Sequence, residues 1–387
     1  MRRDKLVVKV LSSVLYEVLN HKVSVDVAFK RACKGRCVDS LEEREELYNM
    51  ARELVSEYLK ILCVNPRLRS YGKIVRFWLS RRWDDADLPP WCRLSYQRWF
   101  YEKLASLVGD EVEELLSEMN RRRWWLRINT LRAAEERVLR QLEEEGVEYE
   151  VDEHFPYMVF VKRSPKPVRL LKPVKEFTAI PQDKASAAVV NALNPEPGDV
   201  ILDMAAAPGM KTSLIMMLAE NRARVVAVDI SYRRLLMCAN LLTKLGVDLS
   251  KVHLVAADSR DVFLHNTFDK VLLDAPCSNS GAVSKDPGVK IHLTPSKVRH
   301  YSEIQKDLIS RAVKHASDLV VYSTCSVMPE EGEEVTATVR DAVRFVRKYP
   351  WSSPGYEVVD FHDKVMRFFP HKHLTEAFFL AVMEVTG

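Results

Sequence analysis

The 387-residue sequence is 47% hydrophobic and 29% charged, with 12 glycines and no low-complexity tract. That excludes a disordered or fibrous chain, and the length exceeds what one compact core holds, so two or three domains are expected. Fifty-eight basic against 54 acidic residues leave a net charge of +4, too mild by itself to demand a nucleic-acid partner. The seven cysteines form an odd set without framework spacing, which argues for a reducing, cytoplasmic setting.

The chain opens on "MRRDKLVVKVLSSVLYEVLNH", basic and then apolar like a signal peptide. Lys9 and Glu17 interrupt the apolar run, and its apolar residues recur at helical spacing, so the stretch reads as an amphipathic domain helix. No transmembrane stretch follows. "SLEEREELYNMARELVSEYLKIL" continues the helical pattern, with Ser40 placed as a cap and acids in the first turn. Cys33-Lys-Gly-Arg-Cys37 has the look of half a metal site, but no second Cys or His pair completes it. Residues 1–90 are therefore expected to be all helical, ending at the breaker "DDADLPPW" (84–91).

Residues 91–180 read as a small α+β module. "GDEVEELLSEMNRRR" is helical, "WWLRINTL" a strand, "AAEERVLRQLEEEG" a helix closed by Gly146, and "VEYEV" and "YMVFVK" short strands. The run "RRRWWLR" (121–127) mixes cations and aromatics as RNA-contacting surfaces do. Taken alone, the run is better explained by packed tryptophans at 124 and 125 beside a solvated basic edge.

From residue 181 to 387 helices alternate with apolar strands: "PEPGDVILDM", "ARVVAVDI", "VHLVAAD", "FDKVLLDAP" and "DLVVYSTCS". The pattern predicts an α/β, Rossmann-like doubly wound parallel sheet, whose ligands lie at the strands' carboxyl ends. The first strand ends in Asp203 and runs into Ala205, Ala206, Ala207, Pro208, Gly209, Met210 and Lys211, a small-residue turn that lets backbone approach a ligand. A P-loop is excluded, because its lysine follows glycine directly and Met210 intervenes here. Asp229 closes the second strand 20 residues after Gly209, the spacing at which an acid reaches a ribose diol. Asp258 closes the third, suited to an adenine amino group, and Arg234 joins the expected contacts. Without a pyrophosphate-cradling glycine run, S-adenosylmethionine (SAM) is favoured over NAD. The fourth strand ends in Asp274, Pro276 and Cys277 and the fifth in Cys325, which places two thiols and a carboxylate at one crevice.

"QDKAS" (182–186), "LDMAAAPGMKT" (202–212), "DAPCS" (274–278), "STCS" (323–326) with "EEGEEV", and "RFFPHKHLTEAFFLA" (367–381) occur in one order over half the chain. On these motifs the sequence resembles the Sun (Fmu), or NOL/NOP/Sun, family of SAM-dependent RNA cytosine-5 methyltransferases. "LRINTL" and "LSYQRWF" extend the likeness into the middle module, and the helical front end resembles, more faintly, a NusB-like RNA-binding domain. The sequence departs from the family at Ala205 (usually Cys), Met210 (Gly), Asn279 (Gly) and Ala377 (Gly).

The resemblance implies that Cys325 adds to carbon 6 of a cytosine, that Asp274 steadies the ring, and that Cys277 serves product release. Lys211 is the candidate cation beside the Cys325 thiolate. The arrangement of DNA cytosine-5 methyltransferases, with the Pro-Cys thiol as nucleophile, is disfavoured because those enzymes lack the "STCS" thiol. The expected substrate is RNA, rRNA ahead of tRNA, and the expected state a cytoplasmic monomer. Two other classes compete: a non-catalytic RNA-binding ribosome assembly factor retaining SAM as a structural ligand, and a small-molecule methyltransferase. His371 and His373 lack a third metal ligand, so packing or RNA contact is expected of them.

Overall fold

The computed structural model describes residues 2–35, 37–81, 84, 87–261 and 267–386. Arg36 of the Cys33–Cys37 stretch, and Asp85 and Ala86 of the expected breaker, lie outside the described residues. The chain forms two compact units: Met1–Arg122 with Ala282–Thr294, and Arg123–Gly281 with Pro295–Gly387.

The first unit is helical. Arg2–His21 sets Val10, Leu11, Val14, Leu15 and Val18 on one buried stripe, as spacings of three and four require. Val25–Ala32, Leu41–Ser56 and Tyr71–Ser80 pack their apolar faces on that stripe, with Trp78 fully enclosed. Ser40 caps Leu41–Ser56, its hydroxyl accepting the Glu43 N–H at 3.0 Å. Residues beyond 90 stay in this unit. The Lys60 N–H reaches Ser95 Oγ at 3.2 Å, and a disulfide joins Cys63 to Cys92 across 29 residues. The division between units therefore falls inside "RRRWWLR", not at the 84–91 breaker.

A second disulfide joins Cys33 to Cys37, so the cysteine spacing, read above as no framework, does carry paired cysteines. The odd total conceals four paired cysteines and three free ones, Cys238, Cys277 and Cys325. Among the described residues no helix is long and apolar enough to cross a membrane.

The segment Ala282–Thr294, contributed from far along the chain, is held by backbone acceptance. Gln97 Nε2 donates to the carbonyls of Lys290, Ile291 and Leu293, while Arg52 donates to those of Ser284 and Lys285. The Lys290 ammonium is buried. It donates to Asn120 Oδ1 at 2.7 Å and lies 4.6 Å from the Tyr96 ring centroid.

The second unit carries two sheets. The smaller is antiparallel: β1 (Trp125–Ile128), β2 (Glu148–Val151), β3 (Met158–Arg163) and β4 (Ala179–Pro181), in the order β2-β3-β1-β4. Helix Glu135–Glu144 buries Val138 and Leu142 in the same core. Trp125 is core as well, packed on Phe160 and donating from Nε1 to the Leu374 carbonyl.

The larger sheet begins with β5 (Val200–Asp203), β6 (Arg224–Asp229), β7 (Val252–Ala256), β8 (Phe268–Asp274) and β9 (Ala316–Thr324). These five are parallel, in the order β7-β6-β5-β8-β9. The order reverses between β5 and β8, the point where such sheets open a crevice. The sheet is not parallel throughout. Past β9 come β10 (Val343–Phe345), β11 (Ser353–Pro354), β12 (Met366–Phe368) and β13 (Phe378–Val385), and β13 runs antiparallel to β9 with Phe379 opposite Thr324. An antiparallel neighbour brings its own start to the carboxyl end of β9, which is how Phe378 comes near the crevice.

Candidate active site

A cavity of about 460 Å³ opens at the carboxyl ends of β5, β6, β8 and β9. Of the residues expected from sequence, it is lined by Ala205, Ala207, Asp229, Arg234, Asp258, Asp274, Pro276, Cys277 and Cys325. Ala206, Pro208, Gly209, Met210, Lys211 and Asp203 are not on its wall. Asp203 sits behind the turn, where its carboxylate accepts the Thr212 hydroxyl at 2.7 Å. Burial pushes its pKa up to about 6. Gly209 is needed for space: its φ is 102°, and a Cβ there would come within 2.7 Å of Cys238 Sγ. Met210 opens helix Met210–Leu218, and its carbonyl accepts from Ser213 Oγ at 2.8 Å and from the buried Arg127 at 3.3 Å.

At the β6 end, Asp229 accepts the Ser231 N–H at 2.9 Å and the Ala207 N–H at 3.3 Å, which ties the turn after β5 to the end of β6. Arg234 pairs with Asp229 at 3.2 Å and donates to the Ala207 carbonyl. Asp258 receives Arg260 at 2.7 Å, and that hydrogen bond holds its carboxyl below the usual range. Ile230, Ile304 and Leu308 supply apolar wall between these acids and the thiols.

At the β8 and β9 ends, the sulfurs of Cys277 and Cys325 are 3.1 Å apart. Cys277 is buried and Cys325 half-buried. The hydrogen bond to Cys325, followed by burial, raises the Cys277 thiol well above its ordinary pKa. Cys277 therefore stays protonated and has a proton to offer its neighbour. Asp274 accepts Ser323 Oγ at 2.7 Å and the Lys211 ammonium at 2.6 Å. The expectation that Lys211 attends the Cys325 sulfur is corrected: its ammonium is committed to Asp274, 5.6 Å from the Phe378 ring centroid.

The loops carrying the thiols are clamped by Glu331, a fully buried carboxylate. It accepts the Ser278 N–H at 2.7 Å, the Ser326 hydroxyl at 2.6 Å and Gln305 Nε2 at 3.3 Å. Ser278 follows Cys277, and Ser326 follows Cys325. Burial pushes the Glu331 pKa up, and the serine donors oppose that shift. Sequence reading noted "EEGEEV" but gave Glu331 no task. It missed Tyr301 and Phe378 on the cavity wall altogether, since neither lies at the end of a parallel strand. His373 is a packing residue, its Nδ1 accepting the Phe369 N–H at 2.8 Å. Among the described residues no cluster of ligating side chains is arranged for a metal.

Comparison with known proteins fits this geometry. Residues 190–384, half of the chain, match the family described as 16S rRNA methyltransferase RsmB/F, and residues 96–169 match its ferredoxin-like domain. Ribosomal RNA small subunit methyltransferase B of Klebsiella pneumoniae is 31% identical over 63% of this chain and 57% of its own. The tRNA (cytosine(72)-C(5))-methyltransferase of Pyrococcus horikoshii is 36% identical over 54% of this chain and 53% of its own. The chain thus spans little more than half the length of these curated relatives. The crystal structure of PH0851 shares the fold across 98% of both chains, with a TM-score of 0.83 at 23% identity. The match over half its length, together with the paired thiols at the ends of β8 and β9, makes this chain a member of the RsmB/F family of methyltransferases, the Sun group whose motifs it carries.

Proposed function

We propose that the chain is a SAM-dependent RNA cytosine-5 methyltransferase, with Cys325 as nucleophile and Cys277 as the group that assists release. The observation that carries this reading is the pair of sulfurs 3.1 Å apart on the wall of a cavity that also holds Asp229 and Asp258.

The donor set fits SAM. Asp229 offers carboxylate oxygens for ribose hydroxyls, Asp258 for an adenine amine, and Ile230 and Leu308 offer apolar wall. Arg234 and Arg260, now on those acids, are exposed enough to move aside. SAM supplies an electrophilic methyl group there. Carbon 5 of cytosine is too weak a nucleophile to take it unaided. Addition of the Cys325 sulfur at carbon 6 turns carbon 5 into an enamine-like carbon and divides one hard step into two. Asp274, on the cavity wall and held from behind by the Lys211 ammonium at 2.6 Å, presents an acceptor to a ring's polar edge. The pair lies beside the charge that grows as the thiolate adds, where fixed polar groups act most strongly. The flat Phe378 ring offers the pyrimidine a wall. The target base must leave its stack to enter, at least expense from a loop or unpaired stretch.

Because Cys277 is buried and holds its proton, it suits proton exchange during release better than attack. The substrate class we infer is rRNA ahead of tRNA, on the helical front end. The test is incorporation of labelled methyl from SAM into RNA, as 5-methylcytosine, by the intact protein. Incorporation that survives Cys325→Ala would overturn the assignment, and none by the unaltered protein on rRNA or tRNA would favour the non-catalytic assembly factor.

A further inference from the structure

Asn279 stands in the turn after Cys277 where the Sun family has glycine. Its φ of 61° lies in the left-handed region, which glycine enters freely and asparagine more readily than most residues. Backbone conformation explains why asparagine is tolerated there. It gives no reason for a side-chain amide where glycine would serve.

The position of the amide supplies that reason. Its Oδ1 lies 3.0 Å from the Cys325 sulfur, accepting that thiol's hydrogen bond, and 3.9 Å from the Cys277 sulfur. Its backbone N–H is directed at Cys277. Asn279 lines the cavity and is exposed, so packing does not lock the amide. A carboxamide carries an acceptor and a donor on one planar group, and its terminal torsion is broad and nearly two-fold. While Cys325 keeps its proton, the thiol donates to Oδ1. Once that proton has passed to solvent, the same group, turned over, donates an Nδ2–H to the sulfur anion. Lys211 does not fill this place, being engaged with Asp274.

We propose that Asn279 is a further catalytic residue, a reversible amide partner that holds the Cys325 sulfur as a thiol and, after a half-turn, as the attacking thiolate. The proposal rests on Cys325 being the nucleophile. The other titratable groups around the pair are Cys277, Tyr301, Asp274 with Lys211, and Glu331 behind both loops, and all stay in place in the variants below.

The experiment measures alkylation of Cys325 by iodoacetamide against pH, resolved from Cys277 by peptide mass spectrometry, in the full chain without RNA or SAM. Asn279→Gly keeps the left-handed turn and removes the amide. Asn279→Asp keeps the shape and leaves acceptors only. The pH of half-maximal alkylation should rise by about one unit in Asn279→Gly, the scale of one hydrogen bond to a charged sulfur. It should rise further in Asn279→Asp, whose carboxylate opposes the thiolate. A glycine variant whose profile overlays that of the unaltered protein would reduce Asn279 to a turn residue and overturn the proposal. Cys325→Ala in the methylation assay tests the underlying reading separately, so the two can fail independently.

Discussion

The two units treat the same residue type in opposite ways. The helical unit ties four cysteines into two disulfides, whereas the α/β unit holds three free thiols, two of them with sulfurs in contact. Neither use follows from the amino acid itself. In the helical unit Cys33 caps Val25–Ala32, while Cys63 and Cys92 lie in helices Tyr58–Val64 and Pro90–Arg93, and cross-links there restrict the unfolded chain. In the α/β unit Cys277 and Cys325 follow the ends of β8 and β9, both on the cavity wall, one buried and the other half-buried. Backbone placement decides whether sulfur serves stability or chemistry.

That contrast can be broken at several points. The largest effect is expected from Cys325→Ala, which should lower methyl transfer at least about a thousandfold, read by label incorporation into RNA. Cys277→Ala, made beside it, should instead leave protein and RNA joined on a denaturing gel; free release from that variant would remove Cys277 from the release step. Next is Cys63→Ser in the helical unit. Opening a 29-residue loop should reduce unfolding stability by about 3–4 kcal/mol while leaving cavity thiol reactivity unchanged. Urea unfolding with and without reductant checks it.

Glu331→Ala should cost about 2–3 kcal/mol, because Ser278 and Ser326 lose a buried acceptor, and it should slow methyl transfer by loosening both cysteine loops. Glu331→Gln, which keeps an acceptor, should do less harm on both counts. A smaller change is expected from His373→Asn. Burial lowers the His373 pKa to about 4, against 6.5 for the ordinary residue. The unfolded chain therefore binds the proton first, and stability falls as pH drops from about 6.5 towards 4. Asparagine should flatten that acid limb and leave neutral pH unaffected, as melting curves at several pH values would show.

Much of the α/β unit was legible because each strand is an apolar run ending in a chemically telling residue: Asp203, Asp229, Asp258 shortly after β7, Asp274 and, just past β9, Cys325. Periodicity and strand-end chemistry are local, and local signals survive in a single sequence. What was missed depends on distant contact. Phe378 reaches the cavity only because β13 runs antiparallel to β9, and Glu331 acts through serines on two separate loops. The Lys211–Asp274 pair spans 63 positions, so proximity in the chain could not show which acid would take the ammonium. The compact units divide at Arg122 rather than at the 84–91 breaker, while the ferredoxin-like match over 96–169 falls inside the expected 91–180 module. Pro89 and Pro90 open the short helix Pro90–Arg93, and its Cys92 is tied back to Cys63 by a disulfide.

The stretch Ala282–Thr294 leaves the α/β unit at Gly281, just past the second thiol's turn, and re-enters it at Pro295. An amino-terminal fragment cut at Arg122 would lack the carbonyls that satisfy Gln97 and Arg52, and its counterpart would keep an orphaned excursion on the loop after Cys277. Recombination between relatives therefore has to exchange two stretches together. Swapping the front end alone would mismatch the seam between Gln97, Arg52 and the 282–294 carbonyls.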